Sequence, residues 1–381
     1  MVNQRFFSHY QYNIEIYHSI LGDDVSKKWN SFESHFLTGG YLGLIEIAQP
    51  SDLSFRYGIV YDENKNLCAI IYFQLLRFTG KNINFNQSLL LSKLLKSFLF
   101  FRPLKLFMCG NLFAVNFPPY CFKPELISAV DLIQIINKVS ELESVDAVMI
   151  KDVQEKEPVE ELFKLKFQKY SADLTMSILL KPNWLNFNDY INDLSKKYRK
   201  RAAKIITSSE SIIRKEFSFD DIRMNREIIF KLFQNVSEKQ IIKLGLIGSN
   251  YFEEFKKKYP KDFQLVAYFR DEEIIAFATY IDRGLQLESH YIGINYEYNH
   301  SYNLYFNILF DSLKLAIEKK KNELELGRTA REAKANLGGK PVYFNDYYKL
   351  KSKLALWAMN WFGKNFQQSM GFEWEKRHPF R

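Results

Sequence analysis

Cysteine is scarce in this chain of 381 residues: Cys68, Cys109 and Cys121 are the only three, with no CxxC spacing and no histidine pair beside them. A disulfide framework and a zinc cluster are therefore excluded, and a reducing, cytoplasmic setting is expected. The six histidines form no pair at metal-ligand spacing, so no metal is expected. Ten prolines and sixteen glycines are too few for a collagenous, low-complexity or linker-rich protein. No apolar run reaches the roughly 20 residues of a membrane span. The richest window, 88–108, is interrupted by Lys93, Lys96, Arg102 and Lys105. The first ten residues lack the apolar stretch and small-residue cleavage site of a signal peptide. A P-loop, a Rossmann glycine fingerprint and a GxSxG nucleophile elbow are absent too.

What is present describes a folded, aromatic-rich protein. Hydrophobic residues make up 47% and charged residues 25%, a globular balance, and 34 Phe with 23 Tyr supply core and pocket material. The length suggests two domains of roughly 150–200 residues each. A formal charge of +9 suits an anionic partner without specifying one.

Periodicity organises the chain into two similar halves. In the first, residues 26–36 read as a polar helix and 42–48 as a strand. A hairpin pairs 55–61 with 67–76 across the polar turn 62–66, and a helix is expected at 89–101. Strands at 104–109 and 147–150 flank a helix at 126–142, followed by a helix at 158–165 and a strand at 174–180. Lys181-Pro182-Asn183 marks a boundary. Beyond it come a basic helix at 187–208, helices at 225–235 and 249–258, and strands at 263–270, 274–281 and 285–294. A long helix at 301–321 and a strand at 323–326 complete the second half. Three regions are thus expected: 1–180, 181–345, and an aromatic helical tail at 346–381 that packs back on the molecule. The architecture is α/β (α+β), with mixed, largely antiparallel sheets flanked by helices.

Four stretches could carry chemistry. Residues 323–339 read as a strand that turns at Gly327 into a short helix, with Arg328, Arg331 and Lys334 around its start. Thr329 and Glu332 have capping-box spacing. Cations beside a helix start hold an anion well, although a capped helix with solvated charges has the same sequence. Glu288 and His290 lie two apart on a strand and share a face with Gln286, so together they could take a proton from an ammonium; a structural pair is the other reading. The 187–208 helix carries Lys196, Lys197, Arg199, Lys200 and Lys204, a face for tRNA, for an anionic membrane, or simply for solvent. Window 88–108 could dock on a bilayer, shelter an acyl chain, or be a core helix and strand.

The strand order from 263 to 326 resembles the acyl-CoA N-acyltransferase (GNAT) fold. Three stretches are similar to FemAB-like proteins, bacterial relatives with two GNAT domains in tandem: Phe187 to Arg201, Ser289-His-Tyr-Ile-Gly-Ile-Asn295, and Leu326 to Lys334. The resemblance covers about 180–345 well and the first half in outline. It implies a degenerate first GNAT-like domain and a second that is an acyltransferase. The reaction it implies moves an acyl group from a thioester, acyl-CoA or acyl carrier protein, to an amine acceptor in lipid or cell-envelope synthesis. An aminoacyl-tRNA-dependent transferase and an inactive scaffold that binds an anionic partner stand as alternatives. Glu288 and His290 would be catalytic, and Arg328, Thr329, Arg331, Lys334, Tyr302, Lys197 and Arg199 would hold the donor. The acyl ester would be a co-substrate, with no bound cofactor. Contact with the inner face of an anionic membrane is compatible, and DNA is not expected as a partner. One departure matters. The loop after strand 285–294 reads Asn295-Tyr-Glu-Tyr-Asn-His-Ser-Tyr302, without the glycine-rich turn that cradles a pyrophosphate.

Overall fold

The computed structural model describes residues 4–32, 38–48, 50, 52–84, 90–114, 117–153, 159–170, 174–240, 242–357 and 373–380. The end of the helix expected at 26–36 and the middle of the expected helical tail, 358–372, lie outside the described residues. The chain divides into two units, Met1–Asp173 with Ile241–Tyr251 and Phe344–Gln367, and Leu174–Gln240 with Phe252–Tyr343 and Gln368–Arg381.

In the first unit, an antiparallel meander runs through Gln4–His9, Tyr12–Tyr17, Leu53–Tyr61, Leu67–Phe78 and Leu104–Cys109. The hairpin turn closes as expected, because Asp62 accepts the Asn66 backbone N–H at 2.7 Å. Cys109 and Ile150 end a parallel ladder between Leu104–Cys109 and Ala147–Val153. The helix Ala129–Leu142, capped by Ser128, makes the crossover and buries Leu132, Ile133, Ile136 and Val139 on the sheet. Asn345–Leu350 then pairs with Ala147–Val153, so the start of the expected helical tail is a strand. Adjacent Asp346 and Tyr347 are both buried, so the stretch carries no clear period to separate strand from helix.

Residues 42–48, expected as a strand, form the helix Gly39–Ile47 instead. Thr38 caps it by accepting the Tyr41 N–H, and six of its residues are buried. An apolar run buried on almost every side carries no period, so pattern cannot separate strand from helix there.

The second unit repeats the scheme. Ile213–Glu216, Phe263–Arg270, Glu273–Arg283 and Gln286–Ile294 form an antiparallel meander. Gln286–Ile294 pairs in parallel with Glu323–Glu325, and Leu304–Glu318 is the crossover helix. Leu174–Leu179 lies between Glu323–Glu325 and Lys340–Tyr343.

Two long helices predicted here are each broken. The basic stretch splits into Phe187–Asp193 and Lys196–Thr207, because Leu194 is extended, bridges Phe380, and is followed by Ser195, whose N–H bonds Pro379. The long helix begins at Leu304, after Asn303 takes a left-handed conformation (φ 46°) and ends a separate helix, Tyr296–Tyr302.

Candidate functional site

The parallel ladder of the second unit is only three residues long. It pairs Gln286 with Glu323, Leu287 with Leu324, and Glu288 with Glu325, and there it stops. Beyond that rung one strand runs on to Ile294 while its partner turns away at Gly327 (φ 81°). Just past the last rung the long strand bulges, with His290 and Tyr291 opposite the single Thr279. Thr279 Oγ1 accepts the Tyr291 N–H at 2.8 Å and donates to the Tyr291 carbonyl at 2.9 Å, which holds the bulge in place. Such irregularities re-aim a side chain where a strand must present one.

Glu288 stands at this junction, 3% exposed. Its Oε1 lies 2.7 Å from His290 Nδ1 and its Oε2 lies 2.5 Å from an Arg283 guanidinium nitrogen. Burial alone would raise its pKa, but Arg283, the His290 hydrogen bond and the more distant Arg328 together hold it below the usual carboxylate range. An ionised Glu288 only accepts, so His290 Nδ1 carries the hydrogen of this bond. The His290 ring packs against Tyr291 and Phe255, with centroids at 4.2 and 5.9 Å.

Glu325, across the rung, behaves oppositely. Burial, reinforced by the Glu288 charge, raises it to about 7 against the pull of the Gly327 N–H (2.7 Å), Thr175 Oγ1 (3.1 Å) and Lys334. Lys334 is 3% exposed, and its Nζ donates to the Gly327 carbonyl at 3.1 Å. Burial lowers it to about 7, with Glu325 opposing and Arg331 assisting. Gly327 thus bonds both members of the pair. Two carboxyls on adjacent strands with displaced and opposite pKa values mark a site able to hold and pass a proton.

Arg328 and Arg331 are half-buried beside this cluster and Thr329 is exposed. The expected capping box does not form: Ala330 occupies the cap position with φ 52°, no side chain caps the helix Arg331–Ala335, and Glu332 pairs with Arg377 at 2.5 Å. The C-terminal segment supplies a competing partner that local spacing could not reveal. Tyr302 is half-buried and packs against Tyr298, with Arg270 over its ring at 5.6 Å. Lys197 is exposed, whereas Arg199 donates to the Asn192 and Leu194 carbonyls at 2.8 and 3.0 Å, closing the end of the preceding helix.

The residues after the bulged strand bear on donor binding. Asn295–Tyr302 is not an open loop, since Asn295 caps its helix by accepting the Glu297 N–H. At the start of the crossover helix, Asn303 Nδ2 donates to Ser208 Oγ and Asn307 Nδ2 to the Ile205 carbonyl, both at 3.0 Å. Asn299 Oδ1 accepts the Tyr305 N–H at 3.0 Å. Protein groups therefore occupy ground that a phosphate would need. Elsewhere in this unit, a groove of about 780 Å³ lies between Lys215, Asp221, Lys231, Phe269 and Glu297. No residue of the Glu288 cluster lines it.

Sequence reasoning missed Arg283, Glu325 and Thr175. Glu323-Leu-Glu325 carried a signal, because an acidic residue beside Leu324 on a central strand demands a partner. Arg283 is reached only through the two-residue hairpin at Gly284, which sets it opposite Gln286, diagonal to Glu288.

The duplicated order of meander, parallel pair and crossover helix defines a tandem GNAT fold. Among solved structures, the chain is similar to the tandem GNAT protein from the clavulanic acid biosynthesis pathway, with a TM-score of 0.51, 7% identity, and coverage of 88% of this chain and 98% of that one. FemX aligns over 88% of this chain and 98% of its own, with a TM-score of 0.49 and 10% identity. L-PGS from Bacillus licheniformis aligns over 92% and 97%, with a TM-score of 0.49 and 9% identity. No protein-family model and no curated sequence matches the chain.

Proposed function

We propose that this protein is an acyltransferase that moves an acyl group from a thioester to an amine, with the Glu288–His290 pair as the proton acceptor. The arrangement that carries the reading is the buried line Arg283–Glu288–His290, set where the parallel ladder ends and the strand bulges. Acyl transfer needs the attacking amine neutral. His290 Nε2 takes the ammonium proton while the Glu288 carboxylate, fixed by Arg283, stabilises the imidazolium that forms. The neutral amine then attacks the thioester carbonyl, the C–S bond breaks, and the thiolate leaves with a proton from the site. Arg328 and Arg331, at the turn after Glu325, are the cations proposed to hold the donor's anionic group, with Thr329 beside them. Because protein groups fill the start of the crossover helix, a donor presented on a carrier protein suits the site better than one that needs a diphosphate cradle there.

The test incubates the full chain with acyl-CoA and acyl carrier protein thioesters against a panel of amines, reading thiol release and amide mass. His290→Ala should lower kcat by about 100-fold or more. Full activity in that variant, or no release from any donor, overturns the reading. The exposed lysines Lys196, Lys197, Lys200 and Lys204 on one helix favour an aminoacyl-tRNA donor as the second reading. Transfer from charged tRNA in the same assay, without transfer from thioesters, would establish it.

A further inference from the structure

We infer that the first unit carries a docking site for an anionic lipid bilayer, formed by the end of the helix Leu90–Phe101 together with Leu356 and Trp357. The inner side of this helix end is Leu99, fully buried among Leu76, Phe78, Leu104 and Met108. A helix with solvent on its outer side places polar residues there. This one places Phe98, Phe100 and Phe101, which are 46%, 59% and 84% exposed. Ala355 belongs to the same buried cluster, while its neighbours Leu356 and Trp357 are 50% and 48% exposed. Phe98 and Trp357 touch edge to face at 6.3 Å, so the two segments form one continuous surface. Five large apolar side chains turned to solvent on one surface mark an interaction site, whereas scattered single ones do not.

Charge selects the occupant. Residues 88–110 contain Lys93, Lys96, Arg102 and Lys105 and no acidic residue, and 347–357 contain Lys349, Lys351 and Lys353 and no acidic residue. Arg102 directly follows Phe101, and Lys353 precedes Trp357 by one helical turn, so exposed cations border the aromatic surface. Aromatic side chains that sink to headgroup level within a rim of lysine and arginine are the chemistry of peripheral attachment to negatively charged lipid. Among the described residues no helix is long and apolar enough to cross a membrane, so the attachment is to the surface.

The experiment uses the full chain with vesicles of phosphatidylcholine alone or containing about a third phosphatidylglycerol, followed by co-sedimentation and tryptophan emission. The chain is expected to sediment with the anionic vesicles and to release as salt is raised. Phe100→Ser with Phe101→Ser should weaken binding by about ten-fold or more, and Arg102→Gln with Lys353→Gln by about five-fold per cation. Both pairs are exposed, and circular dichroism confirms folding; the charge pair keeps the test decisive if the serine pair unfolds. Absence of binding, or binding that neither pair weakens, overturns the proposal. So does a concentration-dependent dimer that the serine pair abolishes without any vesicle binding, since a second copy would then cover this surface. The acyl-transfer reading is untouched by either result.

Discussion

Replacing Lys334 by methionine should stabilise the second unit. Lys334 is fully buried with its Nζ on the Gly327 carbonyl, and burial lowers its pKa from 10.5 to about 7. A pKa so far below that of an exposed lysine means that the folded state carries a penalty on the order of 5 kcal/mol for this lysine at and below neutral pH. Methionine removes the penalty and has similar length, but it forfeits a hydrogen bond of about 1.5 kcal/mol and leaves Glu325 without a cation behind it. The net gain is then about 1–3 kcal/mol. The pH dependence follows from the direction of the shift. Between about pH 7 and pH 10.5 the unfolded chain still binds the proton that the folded chain has released, so wild-type stability recovers as pH rises and the advantage of methionine shrinks. Urea unfolding at about pH 6, 7.5 and 9.5, followed by circular dichroism and tryptophan fluorescence, measures the gap. A Lys334→Met protein less stable than wild type at about pH 6, or a gap that does not change with pH, would refute the burial argument.

Glu288→Gln should cost about 3 kcal/mol at neutral pH, because Arg283 loses its buried partner. The Glu288 pKa is depressed on folding, so its stabilisation is present above the unfolded carboxylate pKa and fades as pH falls through the lower folded value; the gap between the wild-type and mutant urea curves should narrow on acidification below the ordinary carboxylate range, and a gap that widens there would count against it. Gly293→Ala should lose about 3 kcal/mol, since a Cβ there would lie 2.1 Å from the Phe277 ring and 2.8 Å from the Leu232 backbone; a loss under about 1 kcal/mol in denaturant titration means the strand and helix can part. Ala330→Gly should add about 0.5–1 kcal/mol by relieving a left-handed alanine at φ 52°, and a drop in midpoint would contradict that.

Much of the second unit was legible in the sequence because its strands alternate and its turns are short. Phe263–Arg270 and Glu273–Arg283 emerged almost residue for residue, and the i, i+2 spacing brought Glu288 and His290 together. Several failures share one physical source, contacts between residues far apart in the chain. The basic helix breaks at Leu194 because Pro379 and Phe380 pair with it, and Glu332 turns to Arg377 instead of capping its own helix. Lys334 read as one of three cations around a helix start, yet it is buried, and Glu325 is set beside Glu288 only by the register of the parallel ladder. Gly39–Ile47 shows the opposite limit, where uniform burial erases the period that pattern reading depends on.

The strand order has a consequence for how the protein is made. Asn345–Leu350 sits between Ala147–Val153 and Gln168–Tyr170 in the first sheet, and Leu174–Leu179 completes the second. As the chain leaves the ribosome, the first sheet must wait with an open slot from the emergence of Val153 until that of Leu350, about 200 residues later and on the order of tens of seconds. By then nearly all of the second unit has emerged as well. The two units therefore finish together, and no single cut in the gene yields either one whole. The repeated scheme is thus interleaved along the chain, and a truncation before Leu350 leaves the first sheet without the strand that joins its last two members.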